Sequence, residues 1–468
     1  MNNIKKNFIY NLIYQLLILI IPLIIAPYIS RVLGVEGVGI YSFTYSIVSY
    51  FMLFVLLGVN NYGNRAIAKI RDNKEGLAKT FWGIYVFQLF MGLCMFFLYL
   101  AYIYLFNIEY KNIALLQSMF IVSALGDINW VFFGLEEIKI TIFRNVLVKI
   151  GTLVLIFLFV KDSNDLVIYV SIMSGMAVFS QLLLWSFVKK RIGFIKVDIK
   201  DILQHIKPNL ILFIPVVAIS LYKIMDKIML GILSNINEVG FYENAEKIIN
   251  IPLTIITALG TVLLPRISNL VVKKEHKKIN QYIHESILFV MFMSFSMCFG
   301  LISVGCNFAS LYFGEEFQKT GLLIVFLAPT LLFLSFANIL RTLYLIPYEK
   351  DKIYILSVFW GALTNLLMNF IFIPKYGSVG ACLGTIMAEF IVMLYQIFFL
   401  KKELNIKRYI IDAVPFFVKA LTMFGLIYPL NFLKIENHLK VLLQIILGIM
   451  IYSLLNKKYL LYLKKKHN

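Results

Sequence analysis

Long apolar stretches alternate with short charged connections along the chain, a pattern typical of helices that cross a membrane. One helix needs about 20 apolar residues to span the hydrocarbon layer of a bilayer. The apolar windows predict about 14 such helices. They lie near residues 8–33, 37–62, 80–106, 112–134, 140–160, 166–188, 208–231, 239–264, 281–305, 320–346, 353–373, 378–400, 411–430 and 438–456. We therefore predict an all-α integral membrane protein.

The composition leaves little room for anything outside the membrane. Of the 468 residues, 60% are hydrophobic and 15% are charged, and the mean hydropathy is +0.84. Helices of this number and length leave about 13 residues for each connection, whereas a folded soluble domain needs at least about 50. This excludes a receptor with an ectodomain, an ATP-driven pump and an enzyme with a soluble catalytic domain. The first apolar run exceeds a signal-peptide core, so we expect a retained span.

The basic residues are biased to one side of the predicted membrane. Even-numbered connections and both termini hold about 32 of the 44 Lys and Arg, and odd-numbered connections and span ends hold about 7. The positive-inside rule therefore predicts that both termini are cytoplasmic. The net charge of +19 then follows from topology. It also suits contact with anionic lipid headgroups, and no nucleic-acid partner is needed to explain it.

Motifs for metals, redox chemistry and ATP are missing from the sequence. The four cysteines have no CxxC spacing, and the five histidines stand unpaired in or near connections. No GxxxxGK[ST] phosphate-binding loop occurs. We therefore expect no metal site, no cofactor and no ATP-driven step.

A short internal repeat predicts two related halves. Val38-Gly39-Ile40-Tyr41 recurs as Val239-Gly240-Phe241-Tyr242, at an offset of 201 residues, and Arg65 matches Arg266 at the same offset. Six helices per half is an even number, so the halves have the same orientation in the membrane. In transporters such a parallel repeat places the substrate path between the two lobes. A chance match in apolar sequence is the alternative.

The repeat divides the chain into three predicted regions. An N-lobe of six helices occupies residues 1–200, and a C-lobe of six helices occupies residues 201–408. Residues 409–468 hold two extra helices and a basic cytoplasmic tail.

Several charged residues fall inside predicted spans, where each costs about 2.5–3.5 kcal/mol at the bilayer centre. Most must therefore face a water-filled cavity or one another. The candidate substrate-binding cations are Arg31, Lys149, Lys223, Lys227 and Lys247. The candidate coupling-ion or pairing acids are Asp127, Asp226, Glu243, Glu246 and Glu389.

The helical spacing of these charges predicts a polar stripe. Three charged residues recur at intervals of three and four residues in span 7 and again in span 8, so each set shares one helix face. In span 8 the stripe continues through Asn250, Thr254, Thr257 and Thr261. A polar face along a whole span is expected to line an aqueous path. Ion pairs that only hold the lobe together are the alternative.

Prolines interrupt spans at corresponding places of the two halves. Pro22 and Pro27 lie in span 1, Pro215 lies in span 7 and Pro252 lies in span 8. Broken helices at matching positions of a repeat point to a moving element, so these prolines are candidate hinges. Static kinks that serve packing are the alternative.

Four segments resemble a known family. They are "NFIYNLIYQLLILIIPLIIAPYISRVLGVEGVGIYSFTYSI" at 7–47, "LGDINWVFFGLEEIKITIFRNVLVKI" at 125–150, "LYKIMDKIMLGILSNINEVGFYENAEKIINIP" at 221–252 and "NLLMNFIFIPKYGSVGACLGTIMAE" at 365–389. In order and spacing they resemble the polysaccharide-unit flippases (Wzx type) of the multidrug/oligosaccharidyl-lipid/polysaccharide exporter superfamily.

This resemblance implies a function that is not enzymatic. A flippase of this family moves a polyprenyl-pyrophosphate-linked oligosaccharide from the inner to the outer leaflet of the bacterial cytoplasmic membrane, for surface polysaccharide synthesis. It implies alternating access by two six-helix lobes, and membrane lipid and other polysaccharide-assembly membrane proteins as partners. Spans 13 and 14 look like the pair that borders a lipid-tail groove in lipid II flippases. The likeness carries over Arg31, Asp127, Lys149, Asp226 and Lys247 as cavity residues.

The sequence leaves the driving force and three rival functions open. Export of a pyrophosphate can follow the membrane potential, or an embedded acid can bind Na⁺ or H⁺ and couple its entry to export. A lipid II-type flippase differs only in the sugar. A cation or drug antiporter would place its substrate beside the embedded lysines. A polysaccharide polymerase would need a larger outer loop than the one near 306–319.

Overall fold

The computed structural model describes residues 2–106, 109–189 and 191–467. Within these ranges it describes no side chain at 2–19, 138, 214–215, 218–219, 221–223, 261 and 465–467. All regular structure in the described ranges is helical, as the sequence predicts. The chain forms two compact units, Met1–Ile228 and Met229–Asn468. The boundaries of the three predicted regions stay a prediction.

The first unit contains helices α1 to α7 and most of α8. Their bounds are α1 Asn2–Leu56, α2 Val59–Ile70, α3 Lys74–Leu105, α4 Lys111–Leu125, α5 Asn129–Gly134, α6 Ile138–Phe159, α7 Leu166–Val188 and α8 Ile199–Leu233. The second unit contains α9 Ile236–Val272, α10 His276–Phe313, α11 Gln318–Leu327, α12 Thr330–Leu340, α13 Asp351–Tyr376, α14 Ser378–Leu400, α15 Ile406–Ile427, α16 Asn437–Leu455 and α17 Lys457–His467.

The prediction of an all-α membrane protein is confirmed, but the count of 14 spans is not. In the described part of the chain, 11 helices are long and apolar enough to cross a membrane, or up to 12 if the bent pair Glu315–Leu327 and Thr330–Leu345 is one span. The first two predicted spans enter this count as one continuous stretch, Ile20–Ile70. Predicted span 7 lies in α8, where several side chains are outside the described residues.

A glycine separates the first two predicted spans inside α1. Gly34 has φ 68° and ψ −175°, a conformation that L-residues with a side chain rarely adopt. The helical hydrogen bonding resumes at once on both sides, so the break redirects the chain without an exposed connection. The candidate hinges Pro22 and Pro27 lie before it within the same helix.

Large buried side chains fill the core of the first unit. Phe81, Ile67, Ile128 and Trp130 are fully buried together where α2, α3 and α5 meet. Nearer the start of α4, Tyr99 is buried and its hydroxyl donates to the carbonyl of Ala114 at 3.1 Å. These contacts hold the short helix α5 against its neighbours.

In the second unit, α13 and α14 form a tight antiparallel hairpin. The turn is at Gly377, which has φ 56°. The carboxylate of Glu238 accepts hydrogen bonds from the backbone N–H of Ser378 at 2.7 Å and from its hydroxyl at 2.5 Å. The other Glu238 oxygen lies 2.5 Å from Lys319 Nζ. One acid at the start of α9 therefore fixes the hairpin turn and the start of α11.

Each unit makes one similar contact at the predicted repeat. In the first unit, Gln117 Nε2 donates to the carbonyl of Tyr41 at 3.2 Å. In the second unit, Thr320 Oγ1 donates to the carbonyl of Phe241 at 3.1 Å. The two acceptors lie within one residue of equivalent positions in the repeat. In both units a side chain two spans later donates to a carbonyl near the end of the repeated segment.

Candidate functional site

The predicted stripe on span 8 forms an exposed polar face of α9. Lys247 Nζ lies 3.2 Å from Glu243 Oε1 and donates to Asn244 Oδ1 at 3.3 Å. The Lys247 side chain is 42% exposed. Asn250 and Thr254 are exposed one and two turns further along. The structure therefore brings these residues to one accessible strip of the helix.

The same strip passes a proline. Pro252 is buried within α9 and cannot donate a backbone hydrogen bond. Thr254 Oγ1 donates to the carbonyl of Asn250 at 2.7 Å, and Thr257 Oγ1 donates to that of Thr254 at 3.2 Å. Both hydroxyls therefore bond back to carbonyls of their own helix, just after the proline. The side chain of Thr261, the last residue of the predicted stripe, lies outside the described residues.

The charged set predicted on span 7 is only partly described. Asp226 is 3% exposed and interacts electrostatically with Tyr50 of α1. Lys227 is half-buried beside it in sequence. The side chains of Lys223 and of the candidate hinge Pro215 lie outside the described residues. Of the charged set predicted on span 7, Asp226 is therefore buried rather than exposed.

The remaining predicted site residues lie on four different helices. Arg31 is exposed near the break of α1, and Lys149 is half-buried in α6. Glu246 is half-buried on α9. Glu389 is 3% exposed in α14 and interacts electrostatically with Tyr354 of α13. The roles of all these residues stay predictions.

Asp127 lies in a polar network at a break in the fourth predicted span. Helix α4 ends at Leu125, and α5 begins at Asn129. The Asp127 carboxylate accepts hydrogen bonds from the Asn129 backbone N–H at 2.9 Å and from its side-chain amide at 2.6 Å. Gln88 Nε2 donates to the carbonyls of Ala124 and Asp127, both at 2.9 Å. The broken helix end is thereby satisfied by side chains.

The sequence reasoning missed Arg144, which completes this network. The count of cations by side took residues 139–144 as a cytoplasmic connection although they overlap the predicted span 140–160, whereas Arg144 is 4% exposed within α6. Its guanidinium donates to Asn129 Oδ1 and to Ser180 Oγ, both at 2.5 Å. The signal was present in the sequence, because apolar residues flank Arg144 on both sides.

A second cluster ties the start of α8 to α2 and α3. His205 is buried, and its Nδ1 lies 2.7 Å from the Tyr62 hydroxyl. Asp201 Oδ1 lies 3.0 Å from Lys79 Nζ. The hydrogen bond from Lys79 holds the pKa of Asp201 below its usual value. Burial lowers the pKa of His205 and so favours the neutral imidazole.

Arg341 marks an irregular turn in the second unit. Residues Arg341–Leu345 form a π-helical turn that continues α12. The Arg341 guanidinium lies 4.5 Å from the centre of the Tyr354 ring. Single π-helical turns occur often at functional positions. No sequence pattern predicted this one.

Two family models match the chain over more than half of its length. The model of the polysaccharide biosynthesis proteins matches residues 4–271. The model of the lipid II flippase MurJ matches residues 139–453. The two matches overlap at residues 139–271 and together cover nearly the whole chain.

Similar proteins are found among curated sequences and solved structures. A protein of Escherichia coli (strain K12) named "Putative O-antigen transporter" is 22% identical over 406 residues, which cover 86% of this chain and 97% of that protein. A protein of the same name from Shigella dysenteriae is 24% identical over 403 residues, covering 84% and 99%. A structure titled "Lipid II flippase MurJ, inward closed conformation" has a TM-score of 0.82 at 17% identity, covering 97% and 99%.

These comparisons confirm the resemblance drawn from the sequence. The likeness to the solved structure concerns the fold alone, and it agrees with an all-helical, multi-pass membrane protein. The chain belongs to the polysaccharide biosynthesis protein family, which overlaps here with the lipid II flippase MurJ family.

Proposed function

We propose that this protein is a flippase that moves a polyprenyl-pyrophosphate-linked oligosaccharide from the inner to the outer leaflet of the bacterial cytoplasmic membrane. Both termini are cytoplasmic in this proposal, as the bias of Lys and Arg predicts. The family match and relatives named as O-antigen transporters support this class of substrate. Surface polysaccharide assembly is the process it serves, with membrane lipid and other assembly proteins as partners.

The exposed polar strip of α9 is the observation that carries the proposal. A lysine that faced lipid at the bilayer centre would cost about 2.5–3.5 kcal/mol, so the exposed Lys247 side chain faces water. Asn250 and Thr254 extend the same face, whereas a helix that only packs in lipid would present apolar residues there. The strip therefore supplies a polar surface facing water within an apolar helix, with Lys247 as its cation.

Lys247 can bind an anionic group of the substrate in exchange for its ion pair with Glu243. A pyrophosphate carries about two negative charges and forms charge-assisted hydrogen bonds with lysine and arginine. Outward movement of two negative charges gains roughly 4–5 kcal/mol per 100 mV when the cell interior is negative. The membrane potential therefore suffices as a driving force, and no ATP site is required. Entry of Na⁺ or H⁺ at an embedded acid is the alternative coupling.

Transport in proteoliposomes tests the proposal. We expect outer-leaflet arrival of a polyprenyl-pyrophosphate-linked oligosaccharide to speed up with an imposed potential of the physiological sign. Lys247→Ala should slow it roughly tenfold to a hundredfold, because one charge-assisted hydrogen bond contributes about 1.5–3 kcal/mol. Lys419→Ala is the matched control, since Lys419 is an embedded lysine that donates to Asn456 Oδ1 at 3.2 Å, away from the strip.

Other outcomes identify the rivals. Equal transport by Lys247→Ala and wild type would make the lysine structural and contradict the proposed path. Movement of lipid II but not of the oligosaccharide lipid would establish a lipid II-type flippase, which the second family match favours as the runner-up. A rate that follows a Na⁺ or H⁺ gradient at zero potential would identify ion coupling.

A further inference from the structure

A polar pocket lies inside the first unit, apart from the strip on α9. Its volume is about 420 Å³. Three helices and the break between α4 and α5 contribute to it. The lining residues are Asn60, Asp127, Asn129, Phe133, Arg144 and Asn145. The strip on α9 uses none of these residues, of which only Asp127 is a site residue predicted from the sequence.

The floor of the pocket is fixed by hydrogen bonds and packing. The Arg144 guanidinium is held by Ser180 on one side and by Asn129 on the other, at 2.5 Å each. Asn129 in turn donates to the Asp127 carboxylate. Trp130 is fully buried directly behind, and its indole N–H donates to Gln88 Oε1 at 3.3 Å. The polar groups therefore keep their positions without a ligand, which lowers the entropic cost of binding.

The rim is accessible. Asn60 is exposed at the start of α2, and the Phe133 ring is 44% exposed on α5. Asn145 is half-buried between the rim and the floor. An amide and an aromatic ring thus stand at the entrance to a rigid polar floor.

The charge of the lining points to an uncharged polar ligand. The cation Arg144 and the acid Asp127 interact with each other, so the two charges offset. The other polar groups are the amides of three asparagines. An anion site would need excess cations, and a cation site would need excess acids. Planar groups that both donate and accept match neighbouring hydroxyls, and an accessible ring can stack on the apolar face of a sugar.

The size agrees with this chemistry. Small-molecule pockets typically measure about 300–1,000 Å³, and this one lies near the lower end. It suits one or two sugar rings, not a whole lipid-linked oligosaccharide. Asn60 and Arg144 lie within a few residues of the predicted span ends at 62 and 140, whose connections the positive-inside rule places on the cytoplasmic side.

We infer that this pocket is a saccharide subsite, which receives an uncharged sugar of the substrate from the cytoplasmic side. The inference rests on the proposed function. It adds a site that binds sugar hydroxyls or acetamido groups, separate from the cations that bind the pyrophosphate. Arg144, Asp127 and Asn129 form the floor, and Asn60 and Phe133 form the entrance. The subsite thus contributes to which repeat unit the protein accepts.

Sugar binding to the full chain in nanodiscs tests the subsite. The probes are free glucose, galactose, rhamnose, N-acetylglucosamine and N-acetylgalactosamine at millimolar concentrations, with inorganic pyrophosphate beside them. Binding is followed by saturation-transfer NMR and by the intrinsic fluorescence of the four tryptophans. We expect wild type to bind at least one of the sugars and to show no pyrophosphate contact at this pocket.

Entrance variants separate the subsite from the rest of the protein. Asn60→Ala and Phe133→Ala should weaken sugar binding about tenfold, the loss expected from one good contact. Because both residues are exposed, their thermal unfolding should match wild type. Lys247→Ala should bind sugar normally while its transport falls. This contrast makes failure of the subsite distinguishable from failure of the proposed transport.

Three results would overturn the inference. The first is no binding of any sugar in the panel by wild type, even if transport is intact. The second is equal sugar binding by wild type, Asn60→Ala and Phe133→Ala. The third is displacement of bound sugar by inorganic pyrophosphate in Lys247→Ala, which would assign the pocket to the anion.

Discussion

Single buried charges decide much of the behaviour of this protein at the residue scale. Arg144 is buried, and its guanidinium donates hydrogen bonds to Ser180 and Asn129 and interacts with the acid Asp127. Lys247, by contrast, is exposed and has one acid at 3.2 Å. An enclosed and bonded charge serves a fixed arrangement, whereas an accessible one can exchange its partner for a ligand. The same residue chemistry therefore has two roles.

Removal of Arg144 should destabilise the first unit. Arg144→Ala leaves the Ser180 hydroxyl and the Asn129 amide oxygen without their donor, which costs about 1–3 kcal/mol for buried polar groups. We expect a clearly lower midpoint of thermal unfolding in detergent. Arg144→Lys keeps the charge but not both hydrogen bonds, so its midpoint should lie between the two.

An exposed ion pair is the control for this prediction. Arg71 Nη1 lies 2.7 Å from Glu136 Oε1 at the surface. Exposed pairs contribute little to stability, so Arg71→Ala should leave the unfolding midpoint almost unchanged. An equal fall in Arg71→Ala and Arg144→Ala would contradict the role assigned to burial.

Acid should loosen the start of α8 through His205. Burial lowers the pKa of His205 in the folded protein below the ordinary value of 6.5. A depressed folded pKa stabilises the protein above pH 6.5, and this contribution is lost as the pH falls through the lowered value. Tyr62 and Asp201 act directly on the imidazole, and Lys79 pairs with Asp201. The contacts of residues 199–209 should therefore open increasingly as the pH falls below 6.5.

Hydrogen exchange of residues 199–209 measures this opening. We expect protection at pH 7.5 and faster opening at pH 5, after correction for the intrinsic rate. His205→Phe cannot take up the proton, so its opening should depend less on pH. An unchanged pH dependence in His205→Phe would show that another group is responsible.

At the element scale, close approach of helices depends on small residues. Gly380, Gly384 and Ala388 recur every four residues along one face of α14, which packs on α13. Such spacing lets two membrane helices come together with their backbones close. Asn369 of α13 fills the space opposite Gly384 and donates to Asn365 Oδ1 at 3.2 Å. The hairpin therefore combines close packing with a buried amide pair.

A methyl group at Gly384 should disturb this hairpin. The new Cβ would overlap the side-chain oxygen of Asn369, so we expect Gly384→Ala to lose about 1–3 kcal/mol and to lower the unfolding midpoint. Gly425→Ala in α15 is the matched control, because nothing lies within 4 Å of a Cβ built there. It should gain up to about 1 kcal/mol from the better helix propensity of alanine. Similar midpoints in both variants would contradict the packing argument.

The helix breaks show how well the sequence predicted where helices are interrupted. The prolines were visible as interruptions, and Pro252 does lie beside threonine hydroxyls that bond to nearby carbonyls. The sharpest break in α1 is instead at Gly34, where a positive φ requires glycine. The π-helical turn at Arg341–Leu345 had no sequence signal, because it depends on how neighbouring side chains pack.

At the scale of the whole molecule, topology makes a direct prediction. Cys306 is an exposed cysteine at the outer end of predicted span 9, whereas Cys298 and Cys382 are buried. The positive-inside rule places Cys306 outside the cell. We expect a membrane-impermeant maleimide to label intact cells at Cys306, and Cys306→Ser should lose this label.

A cysteine on the opposite side provides the control. Lys402 is exposed in the connection after α14, which the same rule places in the cytoplasm. Lys402→Cys in a Cys306→Ser background should react only after the membrane is permeabilised. Labelling of Lys402→Cys in intact cells would reverse the proposed orientation.

The sequence by itself determined the class of the protein and its approximate helices. Hydrophobic length and the bias of positive charge act locally and are visible in sequence, so the all-α membrane fold, the polar spacing in span 8 and the family were predictable. Tertiary structure alone decided which polar groups are enclosed. Arg144 was counted with a connection, and Asn60 was not predicted as a site residue. Both come close to Asp127 only through the packing of segments that are far apart in the chain. Packing between distant helices, which no local pattern encodes, created that pocket.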